Sequence, residues 1–152
     1  MSGVPALFLD RDGVINRERG EHTWREADFE VLPDVAEAIR RARSAGMLVV
    51  VITNQSGIGL GLYTHDHVAR LHALLRGTLA HQGADLTAIY YCPHHPTQGR
   101  CLCRKPGSLL LERAIARYGI DPCSSVMIGD RDRDVEAATA VGVRGILMEA
   151  NA

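Results

Sequence analysis

Five short apolar runs punctuate the chain, at positions 4–9, 47–52, 88–91, 125–128 and 144–148. The first two are apolar throughout, as strands buried on both faces of a parallel sheet are. Between the runs, apolar residues recur at helical spacing. Segment 34–45 has Pro33 at its start, Val35, Ala38, Ile39 and Ala42 on one face, and Gly46 as its stop. Segment 64–81 has Thr64 as N-cap and Val68, Leu71, Leu74, Leu75 and Leu79 in register before Gly83, with His65, His67, His72 and His81 on the polar side as surface residues. Segment 108–118 is stopped by Gly119, and a fourth helix runs from near Arg131 to just before Gly142. The order βαβαβαβαβ, with one helix per crossover, predicts an α/β fold: a three-layer, Rossmann-like parallel sheet.

Polar residues gather where these strands end. The first runs into Asp10 and Asp12, the second into Thr53, Asn54, Gln55 and Ser56, and the fourth into Gly129 and Asp130. In open α/β sheets the carboxyl edge of the strands is where ligands bind. Taken alone, the acid pair also reads as an Asp-rich turn in which Gly13 supplies a positive φ. Two acids this close repel unless a cation lies between them or one keeps its proton. Carboxylates converging with a hydroxyl and a lysine point to phosphate chemistry and to magnesium, which prefers oxygen ligands. Segment 17–30 is polar, without a period, and holds the only tryptophan, Trp24; it predicts a loop near the site. The run Gly57-Ile58-Gly59-Leu60-Gly61 lacks the Lys-Ser/Thr of a P-loop and predicts a flexible connection.

Composition narrows the class. A chain of 152 residues, 46% hydrophobic with a net charge of -1, is long enough for one domain with a real core and short for two. There is no basic excess to argue for nucleic acid. The longest apolar run falls far short of the ~20 residues of a membrane helix, and the N-terminus lacks a signal-peptide pattern, so the expectation is a cytoplasmic protein with no membrane partner. Of the four cysteines, Cys92, Cys101 and Cys103 cluster and Cys123 stands apart, which favours metal binding over disulfides. Every basic residue except Lys105 is arginine. A compact ammonium at that one position fits a task in which a point charge meets a single oxygen.

These motifs resemble, across nearly the whole chain, those of the haloacid dehalogenase (HAD) superfamily of phosphatases. Asp10-Arg11-Asp12-Gly13-Val14-Ile15-Asn16 is similar to its first motif and Thr53-Asn54-Gln55-Ser56 to its second, with Arg104-Lys105-Pro106 and Gly129-Asp130-Arg131 similar to the third and fourth. Cys92-Pro93-His94 with Cys101-Leu102-Cys103 resembles the zinc loop, here 92–103, shared by heptose bisphosphate phosphatases and histidinol-phosphate phosphatases. The resemblance implies that Asp10 is the nucleophile that becomes an aspartyl-phosphate and Asp12 the acid and base. It places catalytic Mg2+ on Asp10, the carbonyl of Asp12 and Asp130, with Thr53 and the Asn54 amide on phosphoryl oxygens and Lys105 neutralising charge. It places structural Zn2+ on Cys92, His94, Cys101 and Cys103, with His95 the competing imidazole. Asp134 falls either near the metal or simply in the first turn of the last helix, where an acid favours the dipole.

No insertion large enough for a separate cap domain fits between the motifs, so residues 1–152 read as a single HAD-like domain and an open site, in a monomer. The residues expected to read the substrate are Arg11, Glu18, Arg19, Gly20, Glu21, Asn54, Gln55, Ser56, Arg104 and Arg131, beside Asp10, Asp12, Thr53 and Lys105. Arginine near the mouth suits the second phosphate of a sugar bisphosphate better than a cationic amino alcohol, which favours a heptose bisphosphate over histidinol phosphate. A zinc-stapled binding module without turnover is the alternative from another class.

Overall fold

The computed structural model describes residues 3–152. Five strands, β1 (Ala6–Leu9), β2 (Leu48–Asn54), β3 (Ala88–Cys92), β4 (Val126–Gly129) and β5 (Arg144–Leu147), form one sheet in the order β3-β2-β1-β4-β5. All its pairings are parallel. Helices α1 (Val35–Ser44) and α2 (His65–Ala80) bury Ala36, Ile39, Leu75 and Leu79 against Leu7, Leu9, Val49 and Val51 on one face. Helices α3 (Leu109–Tyr118) and α4 (Asp132–Ala140) bury Leu111, Ala114, Ala137 and Ala138 against Phe8, Val50, Ile52 and Met127 on the other. Alternate residues of β1 and β2 thus feed opposite cores, which is why both runs are apolar without a break.

The windings diverge at β1: the chain leaves it toward β2 on one side and comes back as β4 on the other. The crevice above β1 and β4 is the topological switch point, and Asp10 and Asp130 follow those two strands.

Several details depart from the pattern-based reading. Val4 makes only an isolated bridge to Ile120, and β2 continues through Thr53 and Asn54. In α1 it is Ala36 that is buried, while Ala38 is exposed. In α2 Leu74 is exposed and His72 is buried, so His72 is not a surface residue. The glycine loop is packed rather than free: a Cβ at Gly57 would strike the ring of Tyr63, and one at Gly59 the side chain of Gln98. Among the described residues no helix is long and apolar enough to cross a membrane.

Candidate active site

Strand β1 delivers Asp10, which is 6% exposed. Its Oδ1 accepts hydrogen bonds from the Arg11 amide at 2.8 Å and from Lys105 Nζ at 2.9 Å. Burial raises the Asp10 carboxyl to about 7; Lys105 pulls it down, while Asp134 and Asp12 push it up. Lys105 itself is 2% exposed. Its ammonium donates to Asp10 Oδ1 and to the carbonyl of Ile52 at 2.7 Å, and forms an ion pair with Asp134 Oδ1 at 2.6 Å. Asn54 holds the backbone of Lys105 on both sides, accepting from its amide at 3.0 Å and donating to its carbonyl at 3.3 Å. The side chain of Asp134 also turns back to accept from the Arg131 amide at 3.1 Å, closing the first turn of α4. Asp134 thus stands in the first turn of α4 and beside Asp10 and Asp130 at once, so its two sequence readings are compatible.

Asp130 leaves β4 beside this pair. A Cβ on Gly13, whose φ is +89°, would collide with the Asp130 carboxylate, so glycine there permits the close approach as well as the turn. Carboxylate oxygens of Asp10, Asp130 and Asp134 lie within 4.8 Å of one another. Asp12 is treated differently from Asp10. Its Oδ1 accepts from Arg11 Nη2 at 2.7 Å and Asn16 Nδ2 at 2.9 Å, and its Oδ2 from Gln55 Nε2 at 3.1 Å. Burial opposes ionisation here too, but the Arg11 charge and these donors outweigh it and hold the carboxyl below its usual range.

Above the carboxylates opens a cleft of about 600 Å³. Glu18, Gly20, Glu21, His22 and Thr23 line it from the polar loop after β1, and Asn54, Gln55 and Ser56 from the end of β2. Arg104, Arg131 and Arg133 bring positive charge to the same cleft, where His95 and Pro96 also lie. Beyond β3, Cys92, His94, Cys101 and Cys103 place their ligating atoms within 4.8 Å of one another. The three Sγ atoms are 2.9 to 3.7 Å apart and unbonded. His94 Nδ1 is 3.4 Å from both Cys92 Sγ and Cys103 Sγ, whereas His95 Nδ1 is used locally, accepting from the Thr97 amide at 3.1 Å. One Cys–His arm and one Cys–Cys arm facing one centre have the composition of a tetrahedral zinc site.

The HAD-hydrolase-like family model matches residues 102–151. The D-glycero-beta-D-manno-heptose-1,7-bisphosphate 7-phosphatase of Photorhabdus laumondii is 41% identical over 143 residues, 90% of this chain and 76% of that protein. The enzyme of the same name from Escherichia coli K12 is 42% identical over 147 residues, 92% of this chain and 76% of its own length. The chain belongs to this phosphatase family. A D,D-heptose 1,7-bisphosphate phosphatase from B. bronchiseptica, solved with magnesium and phosphate, superposes with a TM-score of 0.88 at 34% identity, covering 94% of this chain and 79% of that one. The fold is the HAD fold anticipated from the motifs.

Within this heptose bisphosphate phosphatase family member, most residues singled out by sequence converge on one cleft, and a few do not. Arg11 is wholly buried, with its guanidinium turned away from the cleft onto Asp12 and the Thr23 carbonyl, so its side chain does not read the substrate. Arg19 is spent on Glu21 and Asp28 and lies outside the lining. Thr53 is 1% exposed beneath the floor, accepting from Gln55 Nε2 at 3.0 Å. Motif reading missed His22, Thr23 and Arg133. Arg133 carried a usable signal, a second cation two residues after Arg131 in the first turn of α4; His22 and Thr23, in an aperiodic loop, carried none.

Proposed function

We propose that this chain is a magnesium-dependent phosphomonoester hydrolase that removes the 7-phosphate of D-glycero-D-manno-heptose 1,7-bisphosphate through an aspartyl-phosphate on Asp10. The observation that carries the reading is the distribution of bonds on Asp10. Both donors engage Oδ1, which leaves Oδ2 as the oxygen to attack phosphorus at the floor of the cleft. The all-oxygen set of Asp10, Asp130 and the carbonyl of Asp12 suits Mg2+, while Asp134 is already engaged by Lys105. Magnesium, when bound, neutralises the phosphate charge that would otherwise repel the nucleophile.

Lys105, braced from three sides, meets the charge that spreads over the phosphoryl oxygens, at an atom that needs no reorganisation. The Asn54 amide at the cleft and, just beneath its floor, the Thr53 hydroxyl, whose proton is left over by the bond it accepts from Gln55, hold those oxygens. Asp12, ionised in the free site, takes up a proton as the phosphate enters beside it, gives it to the departing alkoxide and then takes one from the water that hydrolyses the aspartyl-phosphate, so one difficult displacement becomes two easier ones. Arg104, Arg131 and Arg133 receive the second phosphate, and Glu18 and Glu21 accept from sugar hydroxyls. Zinc on Cys92, His94, Cys101 and Cys103 has four protein ligands and no open position, so its role is structural. Unbonded thiols in that arrangement fit a reducing, cytoplasmic setting. The open cleft fits a single domain without a cap, working as a monomer.

The test is phosphate release from heptose 1,7-bisphosphate and from histidinol phosphate, with and without magnesium. The expected result is magnesium-dependent turnover of the bisphosphate, well ahead of the amino alcohol ester. Preference for histidinol phosphate would overturn the substrate assignment, and flat progress curves for every phosphomonoester would favour the zinc-stapled binding module.

A further inference from the structure

Arg11 sits between the two carboxylates of the first motif, yet it points away from both the cleft and the nucleophile. It is completely buried, packed with its guanidinium carbon 5.6 Å from the centre of the Phe29 ring. Nη2 donates to Asp12 Oδ1 at 2.7 Å and also to the carbonyl of Thr23 at 2.8 Å, and Nε reaches the same Asp12 oxygen at 3.3 Å. Nη1 lies 3.3 Å from His72 Nε2. A guanidinium only donates, so Nε2 must be the acceptor and the ring neutral, with its proton on Nδ1. Burial and the Arg11 charge both favour that neutral form, lowering His72 to about 3.

Thr23 belongs to the loop that lines the cleft with Glu18, Glu21 and His22. A second tether runs from the same loop. Trp24 stacks on Tyr63 at an interplanar angle of 17°, and Tyr63 Oη donates to Gln55 Oε1 at 2.9 Å. Gln55 Nε2 in turn donates to Asp12 Oδ2 at 3.1 Å. Each oxygen of Asp12 is thus joined to the cleft wall by its own mediator: Oδ1 through Arg11, Oδ2 through Gln55 and Tyr63. Burying a guanidinium is expensive unless its donors are matched, and here every donor nitrogen faces an acceptor.

We propose that Arg11 is a positioning residue that locks the substrate-facing loop to Asp12, so that where the sugar sits and where the proton is delivered are set together; this rests on the phosphatase reading above. Lysine at position 11 keeps the charge but cannot span Asp12, the Thr23 carbonyl and His72 with one nitrogen. Phenylalanine at position 63 keeps the stacking surface and deletes only the second tether's hydroxyl.

The experiment compares wild type, Arg11→Lys and Tyr63→Phe on two substrates. Heptose 1,7-bisphosphate has an alkoxide leaving group that needs a proton and a sugar that touches the loop. p-Nitrophenyl phosphate has a leaving group that departs as an anion without help. Arg11→Lys should lower kcat on the bisphosphate by ~10²-fold and raise its KM, because a displaced acid and a loosened loop both act there. Its loss on p-nitrophenyl phosphate should be about ten times smaller, since general acid help is not required. Tyr63→Phe should show the same asymmetry with smaller losses. Equal losses on the two substrates would mean that Arg11 merely supports the fold and would overturn the proposal. Should Arg11→Lys fail to fold, the ratio measured for Tyr63→Phe decides in the same way. Wild-type protein inert on both substrates would overturn the phosphatase reading itself.

Discussion

Two ligand clusters of opposite construction stand in this molecule. The oxygen cluster of Asp10, Asp130 and Asp134 is assembled by the sheet: β1 and β4 place two of the acids and the first turn of α4 the third. The sulfur cluster of Cys92, His94, Cys101 and Cys103 is assembled by a loop; only Cys92 lies in a strand. In the first, the sheet and a helix end fix the donors, and a bound metal would only add charge. In the second, a bound metal would supply the geometry, because a loop of this length has no core of its own to hold four donors together. The clusters meet through sequence, since Cys103 precedes Arg104 and Lys105, and the Arg104 amide donates to Cys101 Sγ at 3.2 Å. The cluster therefore holds Arg104 directly, and Lys105 follows one residue on.

The sharpest break falls on the oxygen cluster. Asp10→Asn should abolish turnover, because an amide cannot attack phosphorus, while fold and zinc content persist. Phosphate-release assays beside metal analysis check this. A variant with near-normal activity would sink the mechanism.

Lys105→Arg keeps the charge and should still lose ~10²-fold to 10³-fold in kcat, the cost of one misplaced electrostatic contact. The ammonium is matched to Asp10, Asp134 and the Ile52 carbonyl inside a closed pocket. A planar fork cannot satisfy three oxygens set around a point. Retention of most activity would show that the contacts seen here do not matter for rate.

On the sulfur side, Cys103→Ser should lose zinc and lower kcat by ~10²-fold, the effect expected of a catalytic group displaced by ~1 Å. Helix and strand content should remain, because the sheet does not depend on the loop. Zinc added back should not restore activity. Circular dichroism, metal content and turnover on one sample separate the two clusters. Wild-type rate in a zinc-free Cys103→Ser protein would show them to be independent.

How much of this was legible in the chain follows from what each residue depends on. Asp10, Thr53 and Asp130 were readable because an apolar run ending in a polar residue is a local signal, and three such ends must meet at one edge of a parallel sheet. Arg11 was misread as facing substrate because the motif puts it between two functional acids. Arg11 lies in a bend after β1, and its guanidinium folds onto the Asp12 carboxylate and the Thr23 carbonyl, contacts that sequence spacing does not show. His72 shares its helical face with Val68, Leu71, Leu75 and Leu79, yet its polarity outweighed its position in the pattern. The Lys105–Asp134 pair was out of reach, since an acid in a first helical turn already has a sufficient reason to be there.

The smallest effect concerns the oxygen cluster without its metal, and its sign distinguishes the two acids of the first motif. Asp10 is raised from 3.8 to about 7 in the fold, chiefly by burial. Between those values the folded protein holds a proton that the unfolded chain has released, so the contribution of Asp10 to stability is complete below about 3.8 and is lost as the pH rises through about 7. Asp12 is lowered, so its contribution is present above its unfolded value and disappears as the pH falls through the lower folded one. Chelator-treated protein should therefore lose thermal stability from pH 4 toward 7 on account of Asp10, and Asp10→Asn should flatten that slope. Magnesium should flatten it too, by binding the ionised carboxylates of the folded form alone. Differential scanning calorimetry across the range, with chelator or with magnesium, checks both arms. An unchanged slope in Asp10→Asn would overturn this account of Asp10.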